Sequence, residues 1–115
     1  MRVAAVVRDL MTFSRILEAA TRSGAQLHRF DSPADLPPPD LLDLVLVDWG
    51  DRSSDWGEQL STWAASSALS PRVILFGPHT DLDAHAAATS HGLGPMVARS
   101  QLPTTLARAI EGGRA

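Results

Sequence analysis

Cysteine and tyrosine are both absent from this chain of 115 residues. Without cysteine there is no thiol nucleophile, zinc-thiolate site or disulfide framework, and a reducing compartment fits the composition. The absence of tyrosine narrows the acid–base chemistry still further. A chain of this length buries roughly two-thirds of its unfolded surface, so one domain spanning residues 1–115 can fold without cross-links or a structural metal.

The sequence also lacks long apolar runs and an excess of either charge. No stretch approaches the ~20 apolar residues of a membrane-spanning helix, and the N-terminal segment 1–9 becomes charged too soon for a secretory signal, so it is expected to be mature sequence. Ten basic and thirteen acidic residues give a formal charge of −3, with no long block of either sign. We therefore expect a cytoplasmic protein without a nucleic-acid or membrane partner.

The most informative segment that is present is residues 43–48, an apolar run that ends in a carboxylate. Four consecutive apolar residues bounded by Asp43 and Asp48 predict a strand buried on both faces, as in a parallel sheet between two helix layers. Asp48 is then expected at the C-terminal edge of the sheet, where ligands and chemistry collect in open α/β folds.

Strand-like and helix-like patterns alternate along the whole chain. Strands are predicted at residues 3–7, 25–30, 41–47, 72–76 and 95–98. Helices are predicted at residues 11–23, from a cap at Ser53 or Ser54 to before Pro71, from a cap at Thr80 or Asp81 to near Gly92, and at residues 103–111. A further helix starting at Ser32 is stopped by the prolines at positions 37–39 and is expected to be vestigial or irregular. This alternation indicates a parallel sheet with helices on both faces.

Several short motifs together resemble the receiver domain of bacterial response regulators. They are Val-Val-Arg-Asp at 6–9, Arg15 in the first helix, Gly24 before the second strand, Asp-Leu-Val-Leu-Val-Asp at 43–48, Arg-Val-Ile-Leu-Phe-Gly at 72–77, and Arg99 after the fifth strand. The resemblance implies a flavodoxin-like (CheY-like) α/β/α fold with a five-stranded parallel sheet of order 2-1-3-4-5. It covers nearly the whole chain, although only the motif of the third strand is close to the family pattern.

The resemblance also implies what each position of the site contributes. In a receiver, an aspartate at the position of Asp48 accepts a phosphoryl group from a partner histidine, and acidic residues after the first strand help to hold Mg²⁺. A hydroxyl after the fourth strand bonds the phosphoryl oxygen, and a lysine follows the fifth strand. Here Asp9 and Asp48 are retained, whereas Arg8, Phe76 and Arg99 stand at the first acidic, the hydroxyl and the lysine positions.

These replacements predict a pocket that balances its own charge. If Asp9, Asp48, Arg8 and Arg99 face one another, two carboxylates and two guanidiniums cancel, and Mg²⁺ binding is expected to be weak or absent. We therefore interpret the chain as a pseudo-receiver that keeps the scaffold without phosphorylation switching. Two arrangements would undermine this interpretation: Arg8 could point away from the pocket, or Asp51 could act as a metal ligand.

Plainer structural roles exist for the same residues. Asp48 could cap a turn, Asp9 could be only the N-cap of the first helix, and Phe76 could be ordinary core. Trp49 follows Asp48 directly and is expected either to cover the pocket or to mark a protein interface. His79, His85 and His91 flank the fourth predicted helix beside Asp81, but their spacing supplies too few ligands for zinc, so a solvated helix face is favoured and no metal site is predicted.

Three classes of function remain open from the sequence. The first is a non-catalytic, phosphorylation-independent signalling or interaction module that binds another protein, or a second copy of itself, through the face of the fourth helix, fifth strand and fifth helix. The second is a working phospho-acceptor that uses Asp48 in a rearranged site. The third is a small-ligand or enzyme-subunit role, and it is weakest because residues 8–13 contain no cobalamin, phosphotransferase or flavin motif. We favour the first class and expect no enzymatic activity.

Overall fold

Five parallel strands form one sheet in the computed structural model, which describes residues 1–69 and 71–113. The strand order is β2-β1-β3-β4-β5. The strands are β1 (Arg2–Val6), β2 (Gln26–Phe30), β3 (Leu44–Asp48), β4 (Arg72–Gly77) and β5 (Met96–Ala98). The parallel sheet and its predicted order 2-1-3-4-5 are confirmed.

Four α-helices cover the two faces of the sheet and make a three-layer α/β/α arrangement. They are α1 (Leu10–Arg22), α2 (Trp56–Ala65), α3 (Leu82–Ser90) and α4 (Leu102–Gly113). On one face, α1 and α4 pack side chains such as Ile16 and Leu106 against the sheet. On the other face, α2 and α3 contribute Trp56, Leu60 and Ala84. All five residues of β3 are buried, as expected for the central strand between two helix layers.

The expected second helix is reduced to two short 3₁₀ turns, Pro33–Asp35 and Pro39–Leu41. Proline at the first position of each turn fits the geometry of a helix start, but the consecutive prolines remove the backbone donors that a longer helix needs. The prediction of an irregular second helix is therefore confirmed. As a result, the fourth and fifth helices of the sequence-based prediction correspond to α3 and α4.

Several predicted boundaries differ from the structure by one to three residues, and two of these differences have a clear structural reason. The third strand begins at Leu44, three residues later than predicted, because Leu41 belongs to the second 3₁₀ turn. Helix α2 has Asp55 at its N-cap position, without a side-chain capping bond, where Ser53 or Ser54 had been predicted. Ser53 is engaged elsewhere, since its Oγ accepts a hydrogen bond from Arg8 at 3.3 Å.

Other helix ends agree with their predicted signals. Asp81 caps α3 by accepting a hydrogen bond from the Ala84 backbone N–H at 3.1 Å. Gly24 follows α1 with a φ of 79°, a conformation that glycine adopts without a steric penalty. Among the described residues, none of the helices has the length and apolar character required to cross a bilayer.

Candidate functional site

Asp48 is the last residue of β3 and is almost completely buried at the C-terminal edge of the sheet. The residue is 1% exposed, and among the described residues it is the one charged residue that is buried. The backbone register places Phe76 of β4 beside it. Its carboxylate accepts a hydrogen bond from Nη2 of Arg99 at 3.0 Å, which is also an ion pair. The sequence had predicted both the position of Asp48 and its proximity to Arg99.

Burial raises the pKa of the Asp48 carboxyl above its usual value, because a buried site disfavours the charged form. The Arg99 guanidinium opposes this shift by stabilising the carboxylate, while Asp51 and Asp9 add smaller repulsions that raise the pKa further. Asp48 is thus a buried acid whose ionised form is stabilised mainly by Arg99 and, to a smaller extent, by a backbone hydrogen bond from Asp51.

Arg99 reaches Asp48 from the segment that follows β5. It begins the 3₁₀ turn Arg99–Gln101, and its side chain is 46% exposed, so the cation lies at the mouth of the site with one end in solvent. The guanidinium carbon is 6.0 Å from the centroid of the Phe76 ring. A Cβ atom on Gly50 would lie only 3.3 Å from Nη2 of Arg99 and 2.6 Å from the Pro78 ring, so a side chain there would crowd the loop around Arg99.

Asp9 is engaged as the N-cap of α1. Its carboxylate accepts hydrogen bonds from the backbone N–H groups of Met11 and Thr12, and from the Thr12 hydroxyl at 2.6 Å. The Thr12 hydroxyl, followed by the Thr12 backbone N–H, lowers the pKa of Asp9 below its usual value because both donors stabilise the carboxylate. The capping role suggested as the plainer alternative is therefore present in the structure.

Arg8 does not face Asp9 or Asp48, and the predicted quartet of two carboxylates and two guanidiniums is wrong in this respect. Its guanidinium hydrogen-bonds the backbone carbonyl oxygen of Asp51, and its Nε lies 3.4 Å from the Asp51 carboxylate. The same guanidinium donates to Ser53 and stacks over the ring of Trp56, 5.1 Å from its centroid. Arg8 joins the loop after β3 because Asp51 and Trp56 together offer a charge partner and an aromatic face.

The carboxylates at this edge of the sheet are held separately, so they do not form a cation-binding set. Asp48 pairs with Arg99, Asp51 pairs with Arg8, and Asp9 caps α1. Three carboxylates and two guanidiniums give this group a formal charge of −1, where the sequence had predicted neutrality with Asp51 left out. Within residues 1–69 and 71–113, no group of three or more His, Cys, Asp or Glu side chains is arranged to hold a metal. The residues present therefore do not fit the Mg²⁺ site of a receiver.

Trp49 is not at a surface, so the structure contradicts its prediction as an interface residue. The residue is 1% exposed and its indole Nε1 donates a hydrogen bond to the carbonyl oxygen of Ala84 at 2.8 Å. The turn that follows Asp48 directs the indole inward, where it links the end of β3 to helix α3. The half-buried Arg52 lies over the indole, with its guanidinium carbon 5.1 Å from the Trp49 ring centroid.

Phe76 is fully buried in the core cluster on the α1 and α4 side of the sheet. An aromatic ring thus occupies the place where the receiver resemblance calls for a hydroxyl, and it offers no hydrogen bond to an oxyanion at Asp48. Of the predicted histidines, His85 uses its Nε2 in a hydrogen bond with the His79 carbonyl oxygen at 2.8 Å. Asp81 is engaged as the α3 cap.

No role was predicted for Thr12 from the sequence, although its hydroxyl is the largest cause of the lowered pKa of Asp9. The signal was available, since a threonine three residues after an N-cap aspartate can bond back to it. The role of Asp51 as the partner of Arg8 had no comparable sequence signal, because the two residues belong to different loops.

Three solved structures share this fold. One is described as a pilus assembly-related protein from Burkholderia pseudomallei, with 14% identity, coverage of 96% of this chain and 90% of the other, and a TM-score of 0.70. A second is described as the pilus assembly protein CpaE from Burkholderia thailandensis, with 13% identity, 96% coverage of each chain and a TM-score of 0.69. The third is the response regulatory domain of the MrkE protein from Klebsiella pneumoniae, with 14% identity, coverage of 99% and 95%, and a TM-score of 0.66.

No family model and no curated protein matches the chain. The structural likeness, at 13–14% identity, is one of fold. This chain has the CheY-like fold of a response-regulator receiver domain, which confirms the resemblance seen in the sequence at the level of fold.

Proposed function

We propose that this chain is a pseudo-receiver, a receiver-fold module that signals by binding another protein without phosphorylation of Asp48. The observation that carries the proposal is the buried ion pair between Asp48 and Arg99, at 3.0 Å. An acceptor carboxylate must be free to attack a phosphoryl donor whose charge a metal has screened. Here a guanidinium fork holds the carboxylate where a receiver has a lysine, and the other carboxylates of the site are engaged by Arg8 and by the α1 cap, so none is free to bind that metal.

Two further contacts support the loss of phosphoryl transfer. Arg8 forms an ion pair with Asp51, so the Asp51 carboxylate is not free to bind a metal ion together with Asp48. Phe76 provides a buried ring beside Asp48 and no hydroxyl for a phosphoryl oxygen. The side chains around Asp48 therefore provide neither a free set of metal ligands nor the hydroxyl that bonds a phosphoryl oxygen in a receiver.

The proposal is tested by intact-mass measurement after incubation with acetyl phosphate and Mg²⁺. We expect no phosphoryl adduct on the wild-type chain, while a functional receiver treated in parallel gains one. An adduct on the wild type that disappears in Asp48→Asn would overturn the proposal in favour of a working phospho-acceptor with a rearranged site.

We further propose that the protein partner is a second copy of the chain, bound through the surface of α3, β5 and α4. Support comes from α3, which presents the 78% exposed side chain of Leu82 and, one turn later, the small exposed side chain of Ala86. An exposed leucine beside a small residue permits close approach of two helices.

Sedimentation equilibrium over a range of concentrations tests this interface. The wild type is expected to self-associate, and Leu82→Asp is expected to shift the equilibrium to monomer. Leu69→Asp is a matched control, since Leu69 is 76% exposed and lies in the loop before β4. A wild type that remains monomeric at every concentration, or an equal effect of the two variants, would contradict self-association through α3.

A further inference from the structure

A cavity of about 300 Å³ opens between α1 and α4, and its lining includes Arg99 and Phe76, which both neighbour Asp48. We call it the α1–α4 cavity. Its floor consists of the buried apolar side chains of Ile16, Phe76, Leu102 and Leu106. A water molecule occupies about 30 Å³ in the liquid, so the cavity has room for an organic molecule of about ten non-hydrogen atoms. Its volume is at the lower end of the range for small-molecule sites.

The rim of the α1–α4 cavity is polar and positively charged. Arg15 and Arg99 both line it, together with the hydroxyl-bearing residues Thr12 and Ser100, and none of the described lining residues is acidic. The nearby carboxylates are already engaged, Asp9 by Thr12 and Asp48 by Arg99. An apolar floor under two guanidiniums suits a ligand that combines an anionic group with an apolar body.

Arg15 is available for such a ligand. It is exposed on α1, and within the described part of the chain its side chain forms no ion pair or hydrogen bond. The Ser100 hydroxyl is likewise unengaged there. The Thr12 hydroxyl, by contrast, donates its proton to Asp9, so it can only accept from a ligand.

Arg99 is held in place for the same task. One of its nitrogens bonds Asp48 and its guanidinium lies near the face of Phe76, which forms part of the cavity floor. A guanidinium has five N–H donors in a fixed fork, so the bond to Asp48 leaves others for a second anion. The Asp48 ion pair therefore fixes one wall of the cavity before any ligand arrives, which lowers the entropic cost of binding.

We propose that the α1–α4 cavity binds a small monocarboxylate with an apolar body, whose carboxylate is held by Arg15 and Arg99 and whose body packs on Phe76 and its neighbours. A monocarboxylate is favoured over inorganic phosphate because the floor is apolar and a bare oxyanion would leave it in contact with water. The proposal does not rest on whether Asp48 accepts a phosphoryl group. Because Arg99 both bonds Asp48 and lines the cavity, a bound carboxylate would change the environment of Asp48.

The test is an NMR titration of the full chain with benzoate, compared with benzamide and with inorganic phosphate. Benzoate is expected to shift the Arg15 and Arg99 side-chain Nε–Hε signals saturably in the millimolar range, together with methyl signals of Ile16 and Leu106. Benzamide has the same shape without the charge and is expected to bind at least fivefold more weakly. Phosphate is expected to leave the methyl signals unchanged.

Two variants with different defects separate the polar and apolar parts of the site. Arg15→Gln is expected to raise the benzoate dissociation constant about tenfold, as for loss of one charge-assisted contact. Arg22→Gln removes the same charge from the end of α1, outside the cavity, and is expected to leave binding unchanged. Ala19→Leu extends a half-buried cavity residue into the space and is expected to abolish the methyl shifts.

Several results would overturn the proposal. Equal binding of benzoate and benzamide would show that no anion site exists, and equal weakening by Arg15→Gln and Arg22→Gln would reduce the effect to the overall charge. The absence of saturable shifts with benzoate would exclude the site. None of these measurements involves phosphorylation, so their failure is distinct from failure of the pseudo-receiver proposal.

Discussion

Arg8 and Asp51 join the loop after β1 to the turn after β3. The Arg8 guanidinium hydrogen-bonds the Asp51 carbonyl oxygen, and its Nε lies 3.4 Å from the Asp51 carboxylate. Both side chains are about half exposed, so the charge attraction alone contributes little to stability. This contact matters for the site because it engages Asp51, which is then not free to bind a metal ion, and it places the positive charge of Arg8 next to Asp9 in the sequence.

We predict that Arg8→Asp creates a Mg²⁺ site. The substitution releases Asp51 from its partner and adds a carboxylate near Asp9, Asp48 and Asp51, which gives the oxygen-rich set that Mg²⁺ prefers. Affinity for Mg²⁺ is expected to increase at least tenfold over the wild type. Tryptophan fluorescence is a suitable reporter because the Arg8 guanidinium is 5.1 Å from the centroid of the Trp56 ring.

The control for this prediction is Arg8→Gln, which removes the cation without adding a ligand. It is expected to bind Mg²⁺ little better than the wild type. If Arg8→Gln gained as much affinity as Arg8→Asp, the cation itself and not the missing carboxylate would be what prevents metal binding.

We predict that Arg99→Met destabilises the fold by about 2 kcal/mol at pH 7, because it leaves the buried Asp48 carboxylate without its cation. Methionine keeps the apolar stem and removes every donor. Asp48→Asn combined with Arg99→Met is expected to recover most of the loss, since no buried charge remains. Urea unfolding measures each value, and Arg108→Met, on the exposed side of α4, serves as the control.

The pH dependence of these variants has a definite sign. The folded state raises the pKa of Asp48 above the value of 3.8, so the folded protein binds this proton more tightly than the unfolded chain. The contribution of Asp48 to the free energy of unfolding therefore falls as the pH rises from 3.8 through the raised folded pKa. In Arg99→Met the pKa of Asp48 is expected to rise further, so this fall extends to higher pH. An unchanged pH profile would contradict the role of Arg99.

We predict that Thr12→Val raises the pKa of Asp9 towards its usual value, because the Thr12 hydroxyl is the largest cause of its lowering. The lowered pKa contributes stability that is present above pH 3.8 and lost as the pH falls through the folded value. In the variant this contribution is expected to be smaller. Its loss, which begins near pH 3.8 in both proteins, is expected to be complete at a higher pH. Carboxyl-carbon NMR during an acid titration measures the pKa directly.

A threonine outside the site provides the control for Asp9. Thr62→Val, on the exposed side of α2, is expected to leave the pKa of Asp9 unchanged. The explanation through Thr12 would be contradicted if Thr12→Val and Thr62→Val gave the same titration curve for Asp9.

We predict that Trp49→Phe destabilises the fold by about 2 kcal/mol, because it removes buried volume and leaves the Ala84 carbonyl oxygen without its 2.8 Å bond. Trp63→Phe also loses an indole hydrogen bond, to the Pro37 carbonyl oxygen at 2.7 Å. Trp63 is only half-buried, so a smaller loss is expected. Thermal unfolding compares the two, and an equal loss would contradict the structural role of Trp49.

The alternation of apolar strands with amphipathic helices was sufficient to predict the architecture, because burial of β3 on both faces leaves few other arrangements. The proline-limited second helix and the Asp81 cap were also predictable, since proline geometry and capping act over a few residues. The predicted start of the third strand was wrong because Leu41 is as apolar as a strand residue. A 3₁₀ turn beginning at Pro39 nevertheless includes it.

The site was only partly predictable. Asp48 ends β3 and Arg99 follows β5, and the C-terminal ends of parallel strands lie at the same edge of the sheet, so their proximity could be inferred. The positions of Arg8 and Trp49 could not, because a long side chain on a loop can turn in several directions. The orientation of each side chain depends on residues that come close to it only after folding. These are Asp51 and Trp56 for Arg8, and Ala84 for Trp49.

The sequence alone thus determined the five-stranded α/β fold and the identity of the acid at the edge of its sheet, since both follow from local patterns of polarity. Tertiary structure decided which cation neutralises which carboxylate, placed Trp49 in the core, and left a cavity between α1 and α4. These outcomes depend on distances between side chains from different loops and helices, which no local pattern of the sequence specifies.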